Sequence, residues 1–380
     1  MKLNNPSKAL APLLLTLMAA GAQAGSFTAG DLVVLQVGAT GSATTLTSKG
    51  TASFLREFST TGTVGQTLAL PTTASGLNNP LTVSGTAASE GALSLSGDGH
   101  YLVAAGYNVA VGATTQTGST VGLVDASGNI DTSTTTTLLT GNNTRAAASI
   151  DGSHVWVTGP AGLVYIADGA SGGTNIATTV NLRTVQVTPA SVSPSGLDQL
   201  FGSSNNATKP APGVVQFATN LPTATTTGSV LSGMTPAAAP SSYAFFFANP
   251  TTLFVADSTL GIQEWISSAS TWSKVATLAG AFVGLTGVQS GGTVSLYATT
   301  GVAAGSAPDN SLVSIPFTFT SGATGAGTFG LATTLATATG QSAFAGVAFA
   351  PTVATPEPSA LVLAGLGAAI VFALRRRGKS

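Results

Sequence analysis

The sequence predicts an all-β chain folded as a six-bladed β-propeller, on three observations. Of its 380 residues 43% are hydrophobic but only 7% are charged, against roughly 25% in an average soluble protein. Gly, Ser, Thr and Ala stand in for the charges, which leaves little to build the polar faces of amphipathic helices and much to build short strands and tight turns. A strand–turn–strand unit then recurs along the body, and the two ends of the body carry complementary fragments of it.

The unit is plainest in ALSLSGDGHYLVAAG from Ala92 and AASIDGSHVWVTG from Ala147: a strand of small residues, a turn with Gly or Asp, then an apolar strand. Looser copies are PASVSPSGLDQLFGS from Pro189, FFFANPTTLFVADS from Phe245 and GLTGVQSGGTVSLYATT from Gly284. Each is followed by a third apolar segment: STVGLVDASGN, AGLVYIADG, PGVVQFATN, LGIQEWISS and NSLVSIPFT. Successive units start 55, 42, 56 and 39 residues apart, and four-stranded repeats of about 40–50 residues are the pattern of propeller blades.

SAFAGVAFAP from Ser342 reads as a first strand with nothing after it. DLVVLQVG, ASFLREFST and QTLALPT read as second, third and fourth strands with no first. Joined, they make a sixth blade that closes the ring and removes its open sheet edges. The strand around Phe344 is then expected beside the strand around Val34. Seven blades, or a β-sandwich with extra strands, are alternative uses of the same strands. The repeats resemble the sugar- and lactone-related propellers in layout, without any motif of theirs.

Two segments outside this body, residues 25–351, read as addresses. Residues 1–24 have the form of a signal peptide: Lys2 and Lys8 give a positive start, an apolar stretch runs from Ala9 to Ala22, and Ala22-Gln23-Ala24 supplies the small residues that signal peptidase reads. That stretch of about 14 residues is short for a bilayer that needs roughly 20. At the other end, a linker over 352–358 contains Pro356-Glu357-Pro358. An apolar helix and a basic tail follow over 359–380, with Arg375, Arg376 and Arg377 in the tail. Its apolar run, Ala360 to Leu374, reaches about 23 Å as a helix, short of the ~30 Å hydrocarbon core. The arginines favour the cytoplasmic side.

The order Pro-Glu-Pro, short apolar helix, arginine cluster resembles the PEP-CTERM sorting signal. The resemblance covers only this tail. It implies recognition by an exosortase, a membrane enzyme of Gram-negative bacteria that make exopolysaccharide, and cleavage near Pro356, Glu357 and Pro358.

Charge excludes one class of partner. Between the two addresses only Lys49, Arg56, Arg145, Arg183, Lys209 and Lys274 are basic, against twelve acids from Asp31 to Asp309, a net charge of −6. Nucleic-acid binding needs a basic surface to displace counterions. Cysteine is absent, so no disulfide contributes to stability in an exported protein.

The chemical motifs are weak. Gly169 to Gly173, GASGG, fits the G-x-S-x-G form around Ser171, but the TNIATTV that follows is β-branched, where a nucleophile elbow needs a helix. Gly325 to Gly330, GAGTFG, fits a dinucleotide fingerprint, but no acid follows before Glu357. In DASGNID, Asp125, Ser127, Asn129 and Asp131 offer oxygens at alternate positions, as calcium loops do. Without Gly at the sixth place or Glu at the twelfth, a hairpin turn is the expected structure there. The two histidines, His100 and His154, fall in equivalent turns of two units, without the further ligands that a metal needs. Trp156, Trp265 and Trp272, with Phe245 to Phe247, would stack on sugar rings if exposed, but such residues usually pack between sheets.

No catalytic or cofactor-binding set emerges, and no cofactor is expected. The reading is an exported, non-enzymatic propeller, transiently anchored by its C-terminal helix, with a structural or adhesive role at a cell surface or in an exopolysaccharide-rich biofilm. The alternatives are a secreted hydrolase or lyase acting on sugars or lactones, and a carbohydrate-binding module. Side chains lining the central channel distinguish them: converging carboxylates with His favour the enzyme, and Thr, Ser and Ala the scaffold.

Overall fold

The computed structural model describes residues 25–354 apart from positions 115, 142, 219 and 302–309. The expected signal peptide and C-terminal helix, with Ala22, Ala24, Pro356, Glu357, Pro358 and Arg375 to Arg377, lie outside the described residues. Within them every regular element is a strand, and no helix is long and apolar enough to cross a membrane.

Six antiparallel sheets form six blades. Blade one runs, from its inner strand outward, Ala343–Phe349, Leu32–Val37, Ser53–Phe58 and Val64–Ala69. Blade two is Leu93–Leu95, Tyr101–Tyr107 and Ser119–Asp125, with a broken outer strand at Ile130–Asp131 and Thr135–Thr136. Blade three is Ala146–Ser149, His154–Gly159, Gly162–Ala167 and Thr174–Ala177; blade four is Thr184–Thr188, Gln199–Ser204, Gly213–Phe217 and Gly228–Val230. Blade five is Ser242–Asn249, Thr252–Asp257, Gly261–Ser268 and Thr271–Leu278. Blade six is Phe282–Ser290, Thr293–Thr300 and Ser311–Phe319, with Gly327–Phe329 and Thr333–Thr337 both pairing outside the third strand. Each inner strand touches the inner strands of the two adjacent blades, so the six form a closed ring.

The strands are apolar on both faces because each blade is buried on both sides. Successive side chains of a strand point to opposite faces. In Tyr101–Tyr107, accordingly, Leu102 and Ala104 pack toward blade one while Val103 and Ala105 pack toward blade three. The core is therefore divided into six apolar clusters, one in each gap between neighbouring blades.

The ring closes as the terminal fragments require. Leu32 pairs with Phe349, Val34 with Val347 and Gln36 with Phe344. Phe344 and Val34 share the cluster between blades six and one, where Phe58 meets Phe344 edge-on at 5.7 Å. The closing strand lies tight against its neighbours: a Cβ on Gly346 would stand 2.2 Å from the Leu93 nitrogen.

One element falls elsewhere than expected. The inner strand of blade four is Thr184–Thr188, not the segment starting at Pro189. Pro189 lacks an amide hydrogen to donate to a ladder. Its carbonyl instead receives the amides of Val192 at 3.0 Å and Ser193 at 2.9 Å, making a turn, and pairing resumes at Gln199 opposite Thr188.

Candidate functional site

The channel has two unlike ends. Where the inner strands finish, a cavity of about 500 Å³ is lined mainly by apolar and small side chains, among them Leu95, Val187, Phe246 and Phe349. Where they begin, a cavity of about 460 Å³ is lined by Glu90, Tyr107, Arg183, Asn205, Tyr243 and Thr86. The second end collects polar groups from three blades.

The loop that joins blade one to blade two builds this end. Val83–Ser84 pairs with Gly50–Thr51, and the amide of Gly346 donates to the Gly91 carbonyl at 2.9 Å, so the loop is tied down on both sides. Glu90, only 4% exposed, closes it. Its carboxylate accepts the amide of Ser84 at 2.8 Å and a short hydrogen bond from the Tyr107 hydroxyl. Burial pushes the Glu90 pKa up to about 7, against the lowering effects of Tyr107, Ser84 and the charge of Arg145. Burial and the charge of Glu90 also hold the Tyr107 hydroxyl well above its ordinary range.

Arg145 and Arg183 immediately precede the inner strands of blades three and four. Arg145 is buried, and its Nη1 donates to Asn181 Oδ1 at 2.5 Å and to the Leu182 carbonyl at 2.8 Å, while its Nε has no partner. Burial, and then repulsion from Arg183, lower its pKa to about 10, with Glu90 acting in the opposite sense. Arg183 donates from Nε to Asn205 Oδ1 at 2.6 Å and lies over the Tyr243 ring, 5.4 Å from its centroid. Burial lowers the Arg183 pKa as well.

The residues singled out from the sequence stand apart from this cluster. Asp125 closes a hairpin turn: one carboxylate oxygen accepts the amides of Ser127 at 2.8 Å and Asn129 at 3.0 Å, and the other accepts Asn129 Nδ2 at 2.8 Å. Asp131 accepts the amide of Ser133 at 2.8 Å. Among the described residues no three His, Asp or Glu side chains are placed to share a metal ion. His100 contacts Asp98 at 2.9 Å, and His154 stacks on Tyr165 at 5.2 Å. Ser171 lies in a β-hairpin with no helix after it, and Gly327–Phe329 is a strand. All three tryptophans, with Phe245 and Phe247, are buried between blades and present no platform for a sugar ring. Phe246 alone of that group is partly exposed, against the finishing-end cavity.

Sequence reasoning missed the Glu90–Tyr107–Arg145–Arg183 cluster, because no short motif contains it. The available signal was positional. Two of the six basic residues of the body occupy the same place in consecutive units, directly before the first strand.

Fold and channel together define a six-bladed propeller with one polar mouth. To this body is joined a trafficking signal: residues 354–377 match the PEP-CTERM protein-sorting motif. That motif implies an exported protein, delivered to the cell envelope and processed by an exosortase. No curated protein matches the chain. Among solved structures, an ancestral GH74 enzyme is 12% identical with a TM-score of 0.39, over 83% of this chain and 40% of that one. The Swd1 β-propeller domain of Myceliophteria thermophila is 8% identical with a TM-score of 0.36, over 64% of this chain and 86% of that one. Apo AztD from Citrobacter koseri is 11% identical with a TM-score of 0.30, over 75% and 67%. Likenesses this distant say nothing about activity.

Proposed function

We propose that this chain is a non-catalytic propeller displayed at the cell surface or in the extracellular matrix, with a structural or adhesive role in an exopolysaccharide-associated envelope or biofilm. The observation that carries the reading is the union of a sorting motif with a closed ring in which, among the described residues, the two carboxylates lining the channel stand at opposite ends, Glu90 at the polar mouth and Asp98 at the finishing end. Hydrolysis of a glycosidic bond ordinarily uses two carboxyl groups about 5–10 Å apart. At the polar mouth Glu90 faces Tyr107, Arg145 and the amide of Ser84, and its oxygens are engaged in holding a loop.

In this reading residues 1–24 are removed by signal peptidase, 25–351 form the propeller, 352–358 link it to the tail, and 359–380 form the sorting helix and basic end. Arg375, Arg376 and Arg377 keep the C-terminus cytoplasmic, since moving them into hydrocarbon costs several kcal/mol in total, roughly 2.5–3.5 kcal/mol each at the centre of a bilayer. The short helix then holds Pro356-Glu357-Pro358 at the outer face of the inner membrane, and the prolines keep that segment extended for the processing enzyme.

Intact-mass measurement on surface-extracted protein tests this. The expected mature chain starts after Ala24 and ends near Pro358. A mature form that still carries Arg375 to Ser380 indicates a permanent anchor instead. Replacing the three arginines with neutral residues is expected to leave unprocessed or misplaced precursor, read by immunoblot of cell fractions.

A further inference from the structure

We propose that the polar mouth of the channel binds a free sugar acid, a small carboxylate rich in hydroxyls, through the guanidinium of Arg183. A charge imbalance points there. The body carries twice as many acids as cations, yet Arg145 and Arg183 stand together at this mouth and neither forms an ion pair. Among the described residues the one contact at ion-pair distance is His100–Asp98, in a turn at the finishing end. Glu90, the acid close by, is held by Ser84 and Tyr107. Two desolvated guanidiniums that repel each other have Glu90 as a nearby counter-charge but no acid in contact with either, and buried charge is costly until paired. An anion entering from solvent supplies what the fold omits.

Arg183 is already positioned to receive one. Asn205 fixes its Nε edge and Tyr243 covers one face, while no described residue accepts from its Nη atoms. A guanidinium held at one edge with the other edge open matches a carboxylate, whose two oxygens accept parallel hydrogen bonds. Arg145 stands behind it as a second positive charge. The rest of the wall offers hydroxyls and an amide, Ser48, Thr86, Ser89 and Asn143, with Ala87 and Ala88 among them. That lining suits several ligand hydroxyls better than a bare inorganic anion. The volume, about 460 Å³, lies within the usual range for small-ligand sites.

The proposal is independent of the surface role above, because it concerns only the folded ring. It is tested by isothermal titration of the full chain with D-glucuronate, with glucose as the uncharged counterpart and inorganic phosphate as the bare anion. Glucuronate is expected to bind at least tenfold more tightly than either. Arg183→Gln is expected to lower glucuronate affinity at least tenfold while leaving the melting temperature of the ligand-free protein unchanged or raised, since Arg145 loses a like-charged neighbour. Arg183→Lys, which keeps the charge and loses the fork, is expected to weaken binding by a smaller factor and serves if the Gln variant does not fold. The proposal is overturned if glucuronate gives no binding heat, if glucose or phosphate binds as tightly, or if both Arg183 variants retain full affinity.

Discussion

The two ends of the channel are made by the same six strands and differ in how far their charged groups reach. Neutral amides cross between blades at the finishing end, as Gln186 does to the Phe245 carbonyl at 3.3 Å. The carboxylate in its lining, Asp98, is used within its own turn, accepting from Ser96 Oγ at 2.6 Å and from the His100 amide at 3.0 Å. At the starting end charged groups reach between elements far apart in sequence. Glu90 engages Tyr107, Arg145 engages Asn181, and Arg183 engages Asn205. A turn is completed by whatever is adjacent, so its chemistry is used up locally. A mouth assembled from several blades can hold charge that nothing local neutralises, and that is where binding chemistry survives folding.

The largest test removes both ends together. Deleting residues 342–350 takes away the inner strand of blade one and its contacts on either side; loss of the cooperative thermal transition is expected, whereas a transition that keeps most of its amplitude indicates that blade one only frays. Next comes pH, which acts on the starting end through Glu90. Glu90 has a folded pKa of about 7 against an ordinary 4.5, chiefly through burial. The folded state therefore holds this proton more tightly than the unfolded state. Its contribution is fully present below about pH 4.5 and is lost as pH rises to about 7, on the order of 3 kcal/mol. Glu264, buried in blade five with one oxygen unpartnered and the other accepting the Gly327 amide at 3.2 Å, is also pushed up to about 7 by burial and adds a slope of the same sign. Urea unfolding between pH 4.5 and 8 should show stability falling with pH, with Glu90→Gln and Glu264→Gln each flattening part of the slope. An unchanged slope in both variants removes the assignment.

Single contacts give smaller effects. Tyr107→Phe leaves a Glu90 oxygen without its donor and is expected to cost about 1–3 kcal/mol, read as a shift in urea midpoint. Asp98→Ala, at the finishing end, breaks bonds in a half-exposed turn and should cost only ~0.5–1 kcal/mol. Equal costs at the two ends would erase the contrast. The smallest expected effect is none: a chelator should leave the melting temperature unchanged, and a clear fall would direct attention to Asp125, Asn129 and Asp131.

The ring was legible in the sequence because burial on both faces leaves a signature in each strand. Leu102-Val103-Ala104-Ala105 is apolar without alternation, and SAFAGVAFAP with DLVVLQVG showed two halves of one sheet. The start of blade four was misplaced because Thr-Val-Gln-Val-Thr, with polar residues at alternate positions, is less conspicuous than the proline-rich turn after it. The sorting tail was legible because its three parts are contiguous. The mouth was not, because Glu90, Arg145 and Arg183 meet only after three blades have folded, and a separation in sequence set by blade length carries no chemical motif.

The inner strand of the first blade brings Phe349 opposite Leu32, 317 positions earlier. A chain that emerges from its N-terminus thus exposes Leu32–Val37 with one edge unpaired while five blades form, and the final pairing is the most non-local step, the kind that sets folding rate. The sorting motif begins at residue 354, five positions beyond that last strand. Any copy long enough to display its tail therefore already contains the piece that shuts the ring. A copy that stops before residue 343 lacks both, so the sorting motif marks only molecules that carry the strand needed to finish folding.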